Sequence, residues 1–427
     1  MKLLLVYPPF CTPTVMPYSI SHLKGYFKKF YDAECLDINA KFHRKKFSQY
    51  YKKICTEHYA NLLCEFEKES RIVYAQNNKA VVSGKKPELL QDMLDNILAK
   101  KPDVVAFSVV YSSQCFYAKA LIQELKKHNL PCIAGGPAVN EKLLALCDTI
   151  PELQQQIPPE TVPDFSDYYA GDYLSKEIVI PLKTATTCYY KQCAFCTHYA
   201  KTPYQEFPLE TIKKVIQQTK AKYVFFIDDM IRKERLVEIA KLLKQLNVQW
   251  WCQLKPTKEL LGIFPELHAS GLHTISWGVE SGSQRLLNLM NKGTTVETVK
   301  QVLQQSHEAG IKNAVFIMFG FPTETKEEFF DTIHFLKENS SSIDLVTTSI
   351  FGLQKGSAVY EHPAQYCVSS IHEEKRTVLD SKITYAVSKG MSFEEVESLR
   401  RKYTKTIKNI DKVPRVFNCF KEQILFY

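Results

Sequence analysis

No apolar run in this chain approaches the roughly 20 consecutive residues that a helix needs to cross a bilayer, and no membrane span is expected. The opening MKLLLVYPPF pairs a cation with apolar residues, as a signal peptide does. Pro8 and Pro9 end that run, however, and no small-residue cleavage site follows, which points to a buried β-strand. A disulfide rhythm is also missing: the thirteen cysteines are an odd number, in a 427-residue chain long enough to fold without staples. A reducing, cytoplasmic compartment is the expectation. Nor do the cations form one patch. The formal charge is +9, but HRKK (43–46), KK (52–53), KK (85–86) and RRK (400–402) are dispersed, with acidic residues close to most of them. Solvated faces explain this pattern, and nucleic acid is not expected as a partner. With 45% hydrophobic and 24% charged residues, disordered and collagen-like classes drop out.

The length allows two or three domains, or fewer if one is an α/β barrel. Two blocks alternate strand-like and helix-like segments. The first holds LLLVY (3–7), SISHLKGYFKKF (19–30) and CLDIN (35–39), then a charged insert of low periodicity. It resumes with ELLQDMLDNILAKK (88–101), DVVAFSVV (103–110), QCFYAKALIQELKKH (114–128) and PCIAGG (131–136). Apolar strands joined by amphipathic helices predict a doubly wound parallel sheet over 1–150. Residues 151–175, rich in proline, read as a linker or boundary wrap. Over 176–355 six strands are expected, IVIPLKTAT (178–186), YVFFID (223–228), VQWWCQL (248–254), HTISWGV (273–279), NAVFIMF (313–319) and IDLVTTSIF (343–351), making a partial (βα)6 TIM-like barrel. Residues 356–427, with SFEEVESLRRKYTKTI (392–407), read as a helical extension.

Three cysteines, Cys188, Cys193 and Cys196, follow the first barrel strand as C-x4-C-x2-C. A loop there lies at the rim where barrels carry their active sites. Thiolates so spaced select zinc, with His198 as a fourth ligand, or an iron–sulfur cluster left one thiolate short. Cys252, at the end of the third strand beside Trp250 and Trp251, reads as a buried core thiol.

CYYKQCAFC (188–196), FFIDD (225–229), WGVESGSQRLL (277–287), NKGTT (291–295) and FGFPTET (319–325) occur together with LLLVYPPF, PDVVAFSVV and AGGP near the start. In these features, over nearly the whole length, the chain resembles the radical S-adenosylmethionine (radical SAM) enzymes that carry an N-terminal cobalamin-binding-like domain. Its cysteine motif has four residues in the first gap where the commonest form has three. The resemblance implies a 4Fe–4S cluster on Cys188, Cys193 and Cys196, whose remaining iron is chelated by S-adenosylmethionine. It also implies a low-potential electron donor, flavodoxin or ferredoxin, and a 5′-deoxyadenosyl radical that attacks a C–H bond of a substrate the sequence does not identify.

By the same resemblance Phe195 would lie against the adenine, Asp228 and Asp229 would meet the methionyl amine, Glu280 and Ser281 the ribose or carboxylate, and Gly320, Phe321 and Pro322 the adenine again. Read alone, each has a plainer alternative. Phe195 can be packing; one aspartate can cap the helix beginning near Arg232; Ser281 can cap the helix starting at Ser283; GFP can be an ordinary turn. In the first block Ser108, Ser112, Gly135 and Gly136 stand where the family contacts cobalamin. Only about fifteen residues separate Pro137 from the prolines of the linker, too few for another βα unit, and no D-x-H-x-x-G occurs in this block. The domain is therefore expected to be truncated and to bind cobalamin weakly or not at all; if it does bind, radical methylation is the implied reaction. The alternative class is a zinc-stabilised binding module without catalysis, directed to RNA by its basic charge.

Overall fold

The segment KLLLVY forms β1 (Lys2–Tyr7), of which all but the first residue is buried. It lies inside a parallel sheet with β2 (Asp32–Asp37), β3 (Val104–Ser108) and β4 (Cys132–Gly135), in the order β2-β1-β3-β4. β1, β3 and β4 coincide with the apolar segments of the sequence, as burial on both faces requires, whereas β2 begins three residues before CLDIN (35–39), is buried only at Cys35, Leu36 and Asp37, and gives way to a helix at Ile38. The computed structural model describes residues 1–55, 58–154, 156–197 and 202–427. Their backbone divides into one unit of Met1–Pro181, Glu210–Ala221 and Lys375–Asp380, and a second of Leu182–Leu209, Lys222–Glu374 and Ser381–Tyr427.

In the first unit the charged insert departs from expectation. It forms helices Ile38–Lys46, Ser48–Tyr51 and Tyr59–Val82. The long helix buries Leu62, Leu63, Phe66, Val73, Asn77 and Val81, a helical spacing hidden in the sequence by the polar member Asn77. Asn77 is satisfied in place: its amide donates to the Val73 carbonyl at 2.9 Å and its oxygen accepts from the Glu88 amide at 2.7 Å. The proline-rich stretch is a wrap. Asp167 accepts from the Cys35 amide on edge strand β2 (2.7 Å) and pairs with Lys24 (2.7 Å). At Gly25 a Cβ would lie 2.0 Å from the Val162 carbonyl oxygen, an approach that only glycine permits. Past β4 the chain turns back so that Asp148 accepts from the Cys132 amide (2.8 Å), and among the described residues no further strand joins this sheet.

The second sheet follows chain order, β5 (Val179–Leu182), β6 (Tyr223–Phe226), β7 (Gln249–Leu254), β8 (Leu272–Glu280), β9 (Lys312–Phe319) and β10 (Leu345–Ile350). The pairs from β6 to β10 are parallel, and among the described residues β10 and β5 are the two edges of the sheet and do not pair, which leaves a partial TIM-like barrel. All six strands fall within or against their predicted segments. Trp250 and Trp277 are fully buried, and each indole N–H is satisfied, by the Ser270 carbonyl at 3.2 Å and the Asn313 amide oxygen at 2.7 Å.

The C-terminal stretch is not wholly helical. An antiparallel hairpin of β11 (Val368–Glu374) and β12 (Lys382–Val387) precedes the expected helix, Phe393–Lys408, which opens with a Ser392–Glu395 capping box. Its half-exposed alternation, with one face against the barrel, resembles a polar helix surface in the sequence.

Candidate functional site

The cysteine loop rises from a closed base. Just past β6, the buried Asp228 carboxylate accepts from the Thr184 amide at 2.9 and 3.0 Å, the Thr184 hydroxyl at 3.1 Å and the Ala185 amide at 3.0 Å. The chain returns antiparallel: the Phe207 amide donates to the Thr184 carbonyl (2.8 Å) and the Thr186 amide to that of Gln205 (2.9 Å). Burial pushes the Asp228 carboxyl up to about 6, while the bonds from Thr184 and the charge of Lys183 pull it back. Asp228 thus holds the loop that carries the cysteines. Asp229 is exposed. The helix Lys233–Leu246 begins at Arg232 without a side-chain cap, so the capping alternative is not the one realised.

Cys188, Cys193 and Cys196 are partly buried and not in disulfides. Between them the loop is fastened to the turn after the helix Gln284–Leu289: the Ala194 amide donates to the Met290 carbonyl (2.8 Å) and the Tyr190 hydroxyl to that of Asn291 (2.7 Å). Gly293, at φ +65°, is where a Cβ would come within 2.4 Å of the Tyr190 hydroxyl oxygen, which explains the glycine of NKGTT. Phe195 packs with Leu286, Met290, Phe321 and Phe351.

Two buried lysines, which the sequence reading passed over, flank this loop. Lys255, directly after β7, places its Nζ 3.1 Å from the centroid of the Tyr190 ring. Lys292 places its Nζ 5.5 Å from the Phe195 ring and donates to Glu280 at 2.8 Å. Burial raises the Cys193 thiol and both lysines oppose that rise. Burial pushes Lys255 down to about 8, while Lys292, with Glu280 beside it, is held up. The available signal was the position of these lysines, one ending the third barrel strand and one following WGVESG.

Glu280 ends β8 at φ +71°, a strained conformation for a side chain of this kind, after a register shift against β9. Gly278 makes room for it, since a Cβ there would lie 3.0 Å from both the Glu280 oxygen and Lys292 Nζ. Ser281 is buried and accepts from the Ser283 amide at 3.1 Å; the cap of helix Gln284–Leu289 is Ser283, whose hydroxyl accepts from Leu286. Gly320 has φ +75°, and its amide donates to Glu324. Phe321 packs edge-on against Phe351 at 5.2 Å, and Pro322 is buried. Arg285 ties this turn to the preceding motif with bonds of 2.7 and 2.6 Å to Glu328 and 2.9 Å to the Thr323 carbonyl. Glu324, buried beneath the turn, is pushed up to about 8 by that burial.

In the other unit Ser108 is buried and donates to Ser19 at 2.8 Å, while Ser112 is exposed. Gly135 has open space at its Cβ position, and Gly136, at φ +116°, would bring a Cβ within 2.5 Å of the Val109 carbonyl oxygen.

Among the described residues no three carboxylate, imidazole or thiol groups gather around a single ion position, and His198 lies outside the described residues. The donor set nevertheless suits an iron–sulfur cluster: three thiols on one loop, each able to meet a different iron, with two ammonium groups beside them to favour the thiolate forms.

The family described as the Radical SAM superfamily matches residues 182–336. An uncharacterised methyltransferase of Pyrococcus horikoshii is 24% identical over 248 residues, covering 55% of this chain and 52% of the relative. The chain therefore spans about half the length of that curated relative. The radical S-adenosylmethionine methyltransferase TsrM from Kitasatospora setae, solved with cobalamin and a [4Fe-4S] cluster, superposes with a TM-score of 0.58 at 14% identity over 89% of this chain and 82% of its own. The cobalamin-dependent radical enzyme OxsB gives 0.61 at 13% identity over 95% and 67%. These two establish a shared α/β architecture.

Proposed function

We propose, from the premise that residues 182–336 form a radical SAM domain, that the chain is an enzyme holding a four-iron four-sulfur cluster on Cys188, Cys193 and Cys196 and modifying a C–H bond of its substrate. The observation that carries this reading is the cysteine loop itself, three thiols on a base closed by Asp228 and flanked by two buried ammonium groups. Such a cluster supplies the electron that breaks a carbon–sulfur bond of S-adenosylmethionine, leaving methionine and a 5′-deoxyadenosyl radical.

The residues of this chain bind and orient. Phe195 offers an apolar face to an adenine, backed by the buried Phe321, and Gly320, whose Cβ position is closed by Val396 and Ile350, lets the turn lie against those side chains. Asp229 is placed for the cationic amine of the cofactor, and Glu280 for ribose hydroxyls, with Lys292 fixing its carboxylate. Ser281 and Pro322 shape the turns beneath them. Asp228 is a positioning residue. The electron comes from a flavodoxin or ferredoxin, and thirteen cysteines without a disulfide support a cytoplasmic site of action.

The description of the Pyrococcus relative makes methyl transfer one candidate reaction; if the chain uses cobalamin for it, the strand ends holding Ser108, Ser112, Gly135 and Gly136 are where that cofactor would lie. Metal analysis after anaerobic reconstitution tests the reading against its zinc-module alternative. Iron and sulfide at about four each per chain, with colour bleached by dithionite, are expected. A colourless protein holding one zinc would overturn it.

A further inference from the structure

Each of the two gaps between successive cysteines carries one aromatic ring that faces an ammonium group. Tyr190, between Cys188 and Cys193, has Lys255 Nζ 3.1 Å from its centroid. Phe195, between Cys193 and Cys196, has Lys292 Nζ at 5.5 Å. Both lysines are only 6% exposed, and both distances lie within the roughly 6 Å over which a ring face attracts a cation. The rings thus seat positive charge against the loop that holds the thiols.

The two lysines differ in their counter-charges. Lys292 is neutralised by Glu280 at 2.8 Å. No ion pair among the described residues neutralises Lys255; Glu259, a carboxylate whose charge acts on it, instead accepts from the Tyr189 hydroxyl at 3.2 Å. A buried ammonium without a counter-ion is costly to keep, and the ring face offsets part of that cost only. Of the other groups acting on Lys255, the thiols of Cys193 and Cys188 favour its ammonium form and Lys292 opposes it.

We infer that Lys255 is the counter-charge of the iron–sulfur cluster and raises its reduction potential, a role that rests on the function proposed above. One electron from the flavodoxin- or ferredoxin-type donor adds one negative charge at the three-thiolate loop, with no bond made or broken. A fixed positive charge nearby favours that charged state over the oxidised one, and burial keeps water and salt from screening it. Lys292, already paired with Glu280, contributes less because the pair is near neutral. Lys255 is a positioning residue of electrostatic kind.

The test is an EPR-monitored redox titration of the reconstituted chain without S-adenosylmethionine, comparing the unsubstituted protein with Lys255→Met, Lys255→Gln and Lys255→Arg at equal iron content. Lys255→Met and Lys255→Gln should each disfavour reduction about tenfold, which is a fall of about 59 mV for one electron. Lys255→Arg, which keeps the charge, should stay within about twofold of the parent. If one neutral variant fails to fold, the other and the arginine variant still carry the comparison. Neutral variants that match the parent potential, or an arginine variant that falls as far as they do, would overturn the inference while leaving the cluster assignment intact. A parent chain that assembles no four-iron cluster would overturn the proposed function itself. Unchanged potentials with weakened S-adenosylmethionine binding would assign Lys255 to the cofactor carboxylate and against the cluster.

Discussion

The sheet β2-β1-β3-β4 and the sheet β10-β9-β8-β7-β6-β5 are built alike and finished differently. Every strand pair from β6 to β10 and all of those in the first sheet are parallel, with helices between successive strands. At the strand ends of the second stand Asp228 under the cysteine loop, the Glu280–Lys292 pair, and the Arg285–Glu328 clamp. In the first, Asp37 caps the helix Ile38–Lys46 and accepts from Tyr173 at 2.9 Å, Ser108 is bonded to Ser19, and Gly136 sits against the Val109 backbone. Parallel sheets offer their carboxyl ends for chemistry, but the offer is taken up only where side chains there keep groups available to a ligand. In the first sheet Asp37 and Ser108 are committed to hydrogen bonds within the fold.

The largest effect that separates the two regions is loss of the cluster. Cys193→Ala should bring bound iron to near zero while circular dichroism stays that of the parent, because the ligand loop lies outside the strands; full iron content in that variant would break the contrast. Next comes cofactor binding. Asp229→Ala and Glu280→Ala should each weaken S-adenosylmethionine binding by about 1.5–3 kcal/mol, roughly ten- to a hundredfold, measured by equilibrium dialysis. Glu280→Ala should also lower stability, since it strands Lys292 as a buried charge.

A smaller effect separates two buried carboxyls, one in each unit. Burial raises Asp37 to about 7 and Glu324 to about 8. Asp37 has donors on both oxygens, whereas one Glu324 oxygen has no hydrogen-bond partner among the described residues. A carboxyl raised in the folded state binds its proton more tightly than in the unfolded chain, so each contribution is full below the unfolded value and falls as pH rises toward the folded one. Between pH 7 and 8 only Glu324 still carries this slope. Glu324→Gln should therefore lose less melting temperature than the parent between pH 6.5 and 8.5, by an amount corresponding to about 1–2 kcal/mol; equal losses would assign the slope elsewhere. Smallest are the glycines of the first sheet. Gly136→Ala should cost about 1–3 kcal/mol through its positive φ and its approach to Val109, and Gly135→Ala close to nothing, with iron content unchanged in both.

Much of this was legible in the sequence. All the strands of the two main sheets except β2 follow from apolar runs, and the three cysteines stand out by their spacing; the edge strand β2 carries three charged residues in six and overlaps its expected segment only at Cys35, Leu36 and Asp37. The helix Tyr59–Val82 was hidden because charged residues and Asn77 interrupt its buried stripe. The hairpin β11–β12 was hidden because its alternation is only half buried. At the site, Asp228 and Asp229 look equivalent as a pair of letters, and only the placement of Thr184 and Ala185 shows that the first is committed to the backbone. Lys255 and Lys292 escaped notice because a lysine in a sequence reads as surface, and nothing local reveals that Tyr190 and Phe195 fold over them.

The central claim is that the cysteine loop of the second unit carries the radical chemistry proposed above. The most direct measurement is quantification by mass spectrometry of 5′-deoxyadenosine formed from S-adenosylmethionine by the anaerobically reconstituted, dithionite-reduced protein and by its Cys193→Ala variant. The account predicts 5′-deoxyadenosine from the parent and none above background from the variant. Equal amounts from both, or none from an iron-loaded parent, would contradict it.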